Sequence, residues 1–167
     1  MVSEGERTDG QPGAVRDPAA AARELLRRER VGVMSTLSVR HGGSPFGSLA
    51  PYALSAAGLP TLLLSPLAQH TRNVRADARA SLLVADSAML ARDPRRAARV
   101  ILVGRVVPAE STDLVDVRDR YLAWYPDARE LIALGFGFFQ LEPGEVLYVG
   151  GLAQTAFLPP SAVLGPG

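Results

Sequence analysis

Short apolar runs separated by tight turn clusters constrain this chain most, because few architectures can connect so many brief extended segments. Val31 to Val39, Phe46 to Leu54, Thr61 to Leu64, Arg79 to Ala85, Arg99 to Val107, Phe136 to Leu141 and Glu145 to Val149 all read as strands. His41-Gly42-Gly43-Ser44-Pro45, Gly58-Leu59-Pro60 and Glu142-Pro143-Gly144 read as turns between them. Strands that follow one another through short turns pair antiparallel, so six or seven of them with a few helices imply a mainly β (α+β) fold. An antiparallel barrel with peripheral helices suits this better than a doubly wound sheet. No GxGxxG follows the first strand, which removes a Rossmann reading.

Helical segments fill the remaining spaces. Asp17-Pro18 is an N-cap followed by proline at the first helical position, and Ala19 to Arg30 continue as strong helix formers. A helix over 67–77 follows the third strand, and Ser111-Thr112-Asp113 caps another that reaches Trp124, is stopped by Pro126 and is followed by a short piece over 127–134. Pro51, inside the second strand, calls for a bulge or an edge position. Residues 1–16 lack periodicity and read as a disordered leader, 17–158 as one domain, and 159–167 as a flexible tail.

Composition excludes several chemistries. The 167 residues contain no cysteine, so disulfide, thiolate and iron–sulfur chemistry are absent. Every basic residue apart from His41 and His70 is arginine, which leaves no lysine for a Schiff base. A net charge of +1 gives no general reason to expect nucleic acid or a membrane surface. With no apolar run near the ~20 residues of a membrane span and no signal-peptide core, a cytoplasmic protein is expected. No HExxH, P-loop or nucleophile elbow occurs, and two histidines cannot build a three-histidine zinc site, so no metal site is expected.

The segment Ser65-Pro66-Leu67-Ala68-Gln69-His70-Thr71-Arg72-Asn73 joins a buried strand to a helix start crowded with polar groups. Free N–H groups and aligned peptide dipoles at such a start favour an anion. Gln69, His70, Thr71 and Asn73 add neutral polar groups, and Arg72 adds a guanidinium that matches phosphate in a planar fork. Arg72, Arg75 and Arg79 read equally well as a solvated helix face. Tyr121, Trp124 and Tyr125 follow helical spacing from Leu114 and Val117 and read as packing residues. Asp113, Asp116 and Asp119 alternate with Arg118 and Arg120, the pattern of surface charge pairing.

Four ordered pieces, Phe46-Gly47-Ser48-Leu49-Ala50-Pro51-Tyr52, Gly58-Leu59-Pro60, Ser65 to Asn73 and Ala80-Ser81-Leu82-Leu83-Val84, resemble the flavin-binding split-barrel superfamily of pyridoxamine 5′-phosphate oxidase. The likeness runs from about Ala19 to Ala156 and lies nearest the branch containing the haem-utilisation proteins. It implies an antiparallel split β-barrel that binds flavin mononucleotide (FMN) at a homodimer interface and acts as an oxidoreductase on a small organic substrate. By position, the resemblance puts Ser65 at the cofactor-contacting strand end and His70, Thr71 and Arg72 in the phosphate turn. Ser48, Pro51 and Tyr52 fall along the flavin, Arg99 near its ring, and Gly150 and Gly151 in a glycine turn that approaches the partner's site. Tyr52, Arg99 and the partner's Gly150 to Ala153 turn would line the substrate space, and no residue is assigned as proton donor.

Departures from the pattern matter too. Many relatives carry lysine or a second arginine where this chain has His70 and Thr71, making its phosphate turn less cationic. The tail from Phe157 lacks the arginine- and histidine-containing segment with which pyridoxamine phosphate oxidases grip substrate, which disfavours vitamin B6 oxidation. Haem is the alternative ligand, although His41, in a glycine-rich turn, and His70 are the sole histidines available for axial ligation. A deazaflavin (F420) is a further variant whose polyanionic tail calls for more basic groups. A non-catalytic flavin or haem carrier, or an interaction domain without cofactor, completes the alternatives.

Overall fold

The computed structural model describes residues 17–110, 113–152 and 154–165. The leader expected over 1–16 and the Ser111-Thr112 portion of the expected cap lie outside them. Seven strands form one antiparallel sheet in the order β3-β2-β1-β4-β5-β6-β7, which closes into a barrel because β3 (Pro60–Leu64) also pairs with β6 (Gly137–Val149). The strands β1 (Val31–Leu37), β2 (Pro45–Leu54), β4 (Arg79–Ala85), β5 (Arg99–Pro108) and β7 (Thr155–Leu158) complete it. The inward residues Met34, Tyr52, Leu62, Leu82, Val100, Leu102, Leu141 and Val146 are buried together, as period-two alternation requires.

Helices close the open ends and one flank. In α1 (Pro18–Arg28), the Asp17 carboxylate accepts from the N–H groups of Ala19 and Ala20, both at 3.2 Å, and Ala22, Leu25 and Leu26 plug the barrel. The short α2 (Gln69–Ala76) follows β3, and α3 (Ser87–Leu90) starts at Asp86, whose side chain accepts from Met89 N at 2.9 Å. α4 (Leu114–Trp124) and α5 (Ala128–Ala133) pack outside β2 and β3, where Ala53, Leu63, Tyr121, Leu122 and Ala128 form a second cluster.

Several local expectations need correction. Glu142-Pro143-Gly144 is no turn, because β6 runs unbroken for 13 residues and pairs with β5 on both sides of that triplet. The register shifts so that Gly104 faces Pro143 and Val103 faces Glu145, leaving Gly144 as an extra, bulged residue. A Cβ on Gly104 would lie 2.0 Å from Glu142 O, so only glycine permits this approach. Pro51 takes the edge alternative. Tyr52 N bonds Arg30 O on the β1 side, so the Pro51 nitrogen faces the other side, where β3 pairing begins only at Tyr52.

The stretch expected to be a flexible tail contains α6 (Pro160–Val163), whose Val163 is buried in the core and whose Ala162 carbonyl accepts from Arg23 at 2.9 Å. Trp124, expected to pack, is 48% exposed and carries the Arg30 guanidinium on its ring face. Tyr121 does pack, against Tyr125 and Phe138 at ring separations of 4.8 and 5.6 Å.

Candidate cofactor-binding site

The phosphate-turn residues gather at the C-terminal end of β3. Ser65 Oγ accepts from Leu67 N at 3.3 Å, Ala68 N bonds Ser65 O at 3.2 Å, and the chain enters α2 from an extended Ala68 with no side-chain cap. Arg72 N is the first to bond back into the helix, to Ala68 O at 3.2 Å, so the N–H groups before it have no intrahelical acceptor. Thr71 is fully buried, and its Oγ1 has no hydrogen-bond partner among the described residues. Arg72 is exposed, and burial holds the half-buried His70 imidazole below its ordinary pKa, so Arg72 is the cation of the first turn at neutral pH.

Two residues of that turn serve the fold. Asn73 is fully buried, its Oδ1 accepting from Val39 N at 3.1 Å and Gln69 Nε2 at 2.8 Å, while its Nδ2 donates to Thr36 Oγ1 at 2.9 Å. Thr36 Oγ1 in turn donates to Phe46 O at 3.3 Å. Gln69 and Asn73 therefore tie α2 to β1 and β2. Arg79 is exposed and bonded to Asp77, whose carboxyl that guanidinium draws down to about 2, which fits the solvated-face reading for that arginine.

Tyr52 is also placed by the barrel. Its ring is buried, its hydroxyl donates to Leu26 O at 2.8 Å, and burial pushes its pKa up, so the phenol stays neutral. Ser48 is half-buried on β2 opposite Met34, and Pro51 is exposed opposite Val31. Arg99 and the glycine turn form a second group. Arg99, on β5 opposite Ala85 and Val149, donates to Ala97 O at 3.2 Å. Gly150 N bonds Gln154 O at 2.8 Å, and Gly151 has φ 78°, a backbone that glycine adopts without strain. Arg99 pairs with Val149 at one end of β6, whereas β3, which leads into the phosphate turn, pairs with Gly137 to Gln140 at the other end, so one chain does not bring this group to that turn.

A further surface joins these groups across the outside of the barrel. Leu49 faces Val33, Val33 faces Leu83, Leu83 faces Ile101, Ile101 faces Leu147 and Leu147 faces Phe157, giving one apolar row over six strands. Leu49 is 76% and Phe157 68% exposed. Beside the row, Val31, Val33, Leu49, Leu83 and Leu90 line a cleft of about 440 Å³ bordered by Arg28 and Arg30. Arg28 bonds Asp86 at 3.0 Å and Glu29 at 3.4 Å. The signal for this face lies in Val31-Gly32-Val33-Met34 and Leu82-Leu83-Val84, apolar on both strand faces where a barrel wall needs only one.

The family model described as CREG, beta-barrel matches residues 13–162. The chain belongs to this family. Its barrel also bears out the resemblance to the split-barrel superfamily near the haem-utilisation proteins. Over 143 residues the chain is 38% identical to the non-canonical heme oxygenase HOZ, chloroplastic, of Arabidopsis thaliana, covering 84% of this chain and 42% of that protein. A heme binding protein from Mycobacterium smegmatis superposes with TM-score 0.78 at 30% identity, over 88% of this chain and 60% of the other. This CREG-type barrel thus spans less than two thirds of either relative. A Clostridium acetobutylicum protein of the pyridoxinephosphate oxidase family, at 14% identity and TM-score 0.62 over 88% of this chain and 99% of the other, shares the fold. Among the described residues no helix is long and apolar enough to cross a membrane.

Proposed function

We propose that this CREG-type barrel is a haem-binding domain, with the macrocycle against the outer apolar cleft of β1, β2 and β4 and a second copy covering it. The apolar cleft flanked by arginines carries the reading. A porphyrin needs a broad apolar floor and cations for its two carboxylates; Val33, Leu49 and Leu83 supply the floor and Arg30 a cation, while Arg28 at the border is already paired with Asp86 and Glu29 and would have to exchange one of them. The cleft residues include no histidine, methionine, tyrosine or cysteine, so these side chains would hold haem by burial and charge rather than by axial ligation. The named relatives support this choice over a flavin oxidoreductase. Bound haem would supply iron redox chemistry, and the chain's own part is to shield one macrocycle face from water and hold its carboxylates. By its likeness to the Arabidopsis protein, haem degradation is the activity proposed.

The test is a haemin titration of the purified protein followed by its Soret band. Saturable binding that Leu49→Asp weakens at least tenfold is expected, and equal affinity in that variant overturns the placement. Degradation is checked by adding a reductant under oxygen and following Soret loss and iron release.

One observation favours a second reading. The unpartnered buried Thr71 hydroxyl lies in the first turn of α2 beside Arg72, an arrangement that suits the phosphate of FMN. Retention of a two-band flavin spectrum, lost in Arg72→Ala with the fold intact, is the result that supports it.

A further inference from the structure

A different cavity lies between the end of α1, the β2–β3 turn and α4. It measures about 200 Å³, has Leu26 and Tyr52 in its wall, and is rimmed by Arg27, Arg30, Arg120 and Trp124. Its charge balance is uneven. The Glu29 carboxylate, though its residue borders the cavity, is engaged by Arg28 at 3.4 Å and by Ser87 N at 3.2 Å. Asp116 is shared between Arg120, at 2.7 and 2.9 Å, and Ala56 N, at 3.3 Å. Neither Arg27 nor Arg30 has a carboxylate partner among the described residues, and the Arg30 guanidinium sits over the Trp124 ring, a cation–π contact that holds it at the rim.

We infer that this cavity is a binding site for a small oxyanion, a phosphate- or carboxylate-bearing molecule, separate from the outer cleft. Two unneutralised guanidiniums and a third shared one face a concave space whose volume suits a few heavy atoms and is too small for a porphyrin or a flavin ring. Arg30 also borders the outer cleft, so the two sites share one side chain.

Trp124 is the sole tryptophan in the sequence, so intrinsic fluorescence reports directly on this cavity. Pyrophosphate and citrate are titrated separately at ionic strength held constant with sodium chloride. A saturable change with a midpoint of about 1 mM or below is expected for at least one of them, and which one responds separates phosphate from carboxylate sources. Arg27→Gln raises the midpoint about tenfold, the loss of one charge-assisted bond, and Arg27→Lys restores part of it. Arg27 does not border the outer cleft, so haemin affinity in Arg27→Gln stays that of the parent chain and the two sites are judged apart. A response that never saturates for either anion, or that is the same in Arg27→Gln, overturns the inference.

Discussion

Asn73 Nδ2 donates to Thr36 Oγ1 at 2.9 Å, and through this buried bond the helix after β3 is fastened to the first strand of the barrel. Replacing Asn73 by Ala removes the donor to Thr36 Oγ1, which keeps its bond to Phe46 O, and frees the Val39 N–H and the Gln69 amide at once. Each buried polar group left without a partner costs about 1–3 kcal/mol, though Gln69 can turn to water. We expect Asn73→Ala to lose about 2–4 kcal/mol in urea unfolding. A loss below 0.5 kcal/mol, roughly the error of such measurements, would show that α2 is held by its apolar contacts alone.

Tyr52 divides its work between packing and one hydrogen bond to Leu26 O. Phe in its place keeps the ring and removes the hydroxyl, so Tyr52→Phe should destabilise by about 1 kcal/mol. Haemin and flavin affinity should not change, since the hydroxyl points to α1. A variant of parental stability with altered cofactor binding would return Tyr52 to the ligand site.

Gly104 sits where β5 meets the bulge in β6, with Glu142 O 2.0 Å from the position of an added Cβ. Backbone, not a flexible side chain, blocks the space. Gly104→Ala should therefore cost about 3 kcal/mol or more, or prevent folding, whereas Gly42→Ala, in an open turn with φ 59°, should cost about 1 kcal/mol from backbone strain alone. Equal melting temperatures for the two variants would contradict the bulge geometry.

These positions also explain what could be read from the chain in advance. The barrel was legible because Val31 to Leu37, Thr61 to Leu64 and Arg79 to Ala85 carry strong local patterns bounded by turns. The 142–144 turn misled because Pro and Gly mark a bulge as readily as a turn, and the choice between them depends on Gly104, nearly forty residues away. The structural bonds of Asn73 and Tyr52 were not legible, because their partners, Thr36 and Leu26, lie on elements that no local pattern connects to them. Arg30 and Trp124 meet only through the packing of α4.

His70 makes stability depend on pH. Burial lowers its pKa in the folded chain below the unfolded value of 6.5, so between the two values the unfolded state binds more protons and stability rises with pH. The stabilisation is complete above about pH 7 and is lost as pH falls below 6.5 toward the folded pKa. His70→Gln should flatten the fall of melting temperature as pH drops below the unfolded histidine value of 6.5. The same slope in parent and variant would assign the effect to another group.

The apolar row from Leu49 to Phe157 bears on assembly. From Leu49 to Leu147 each residue in it is the outward neighbour of a buried one, so this part of the row cannot turn inward without flipping an entire strand. A continuous apolar band across six strands is more than an isolated patch, and a second copy of this chain is the covering we expect for it. We therefore expect sedimentation of a dimer at micromolar concentration. Leu83→Asp, at the centre of the row, should give a monomer with an unchanged circular dichroism spectrum, because its side chain is outward and 36% exposed. If haem is held between two copies, that variant loses haemin binding together with the dimer, whereas a monomeric parent that still binds haemin would confine the site to one chain.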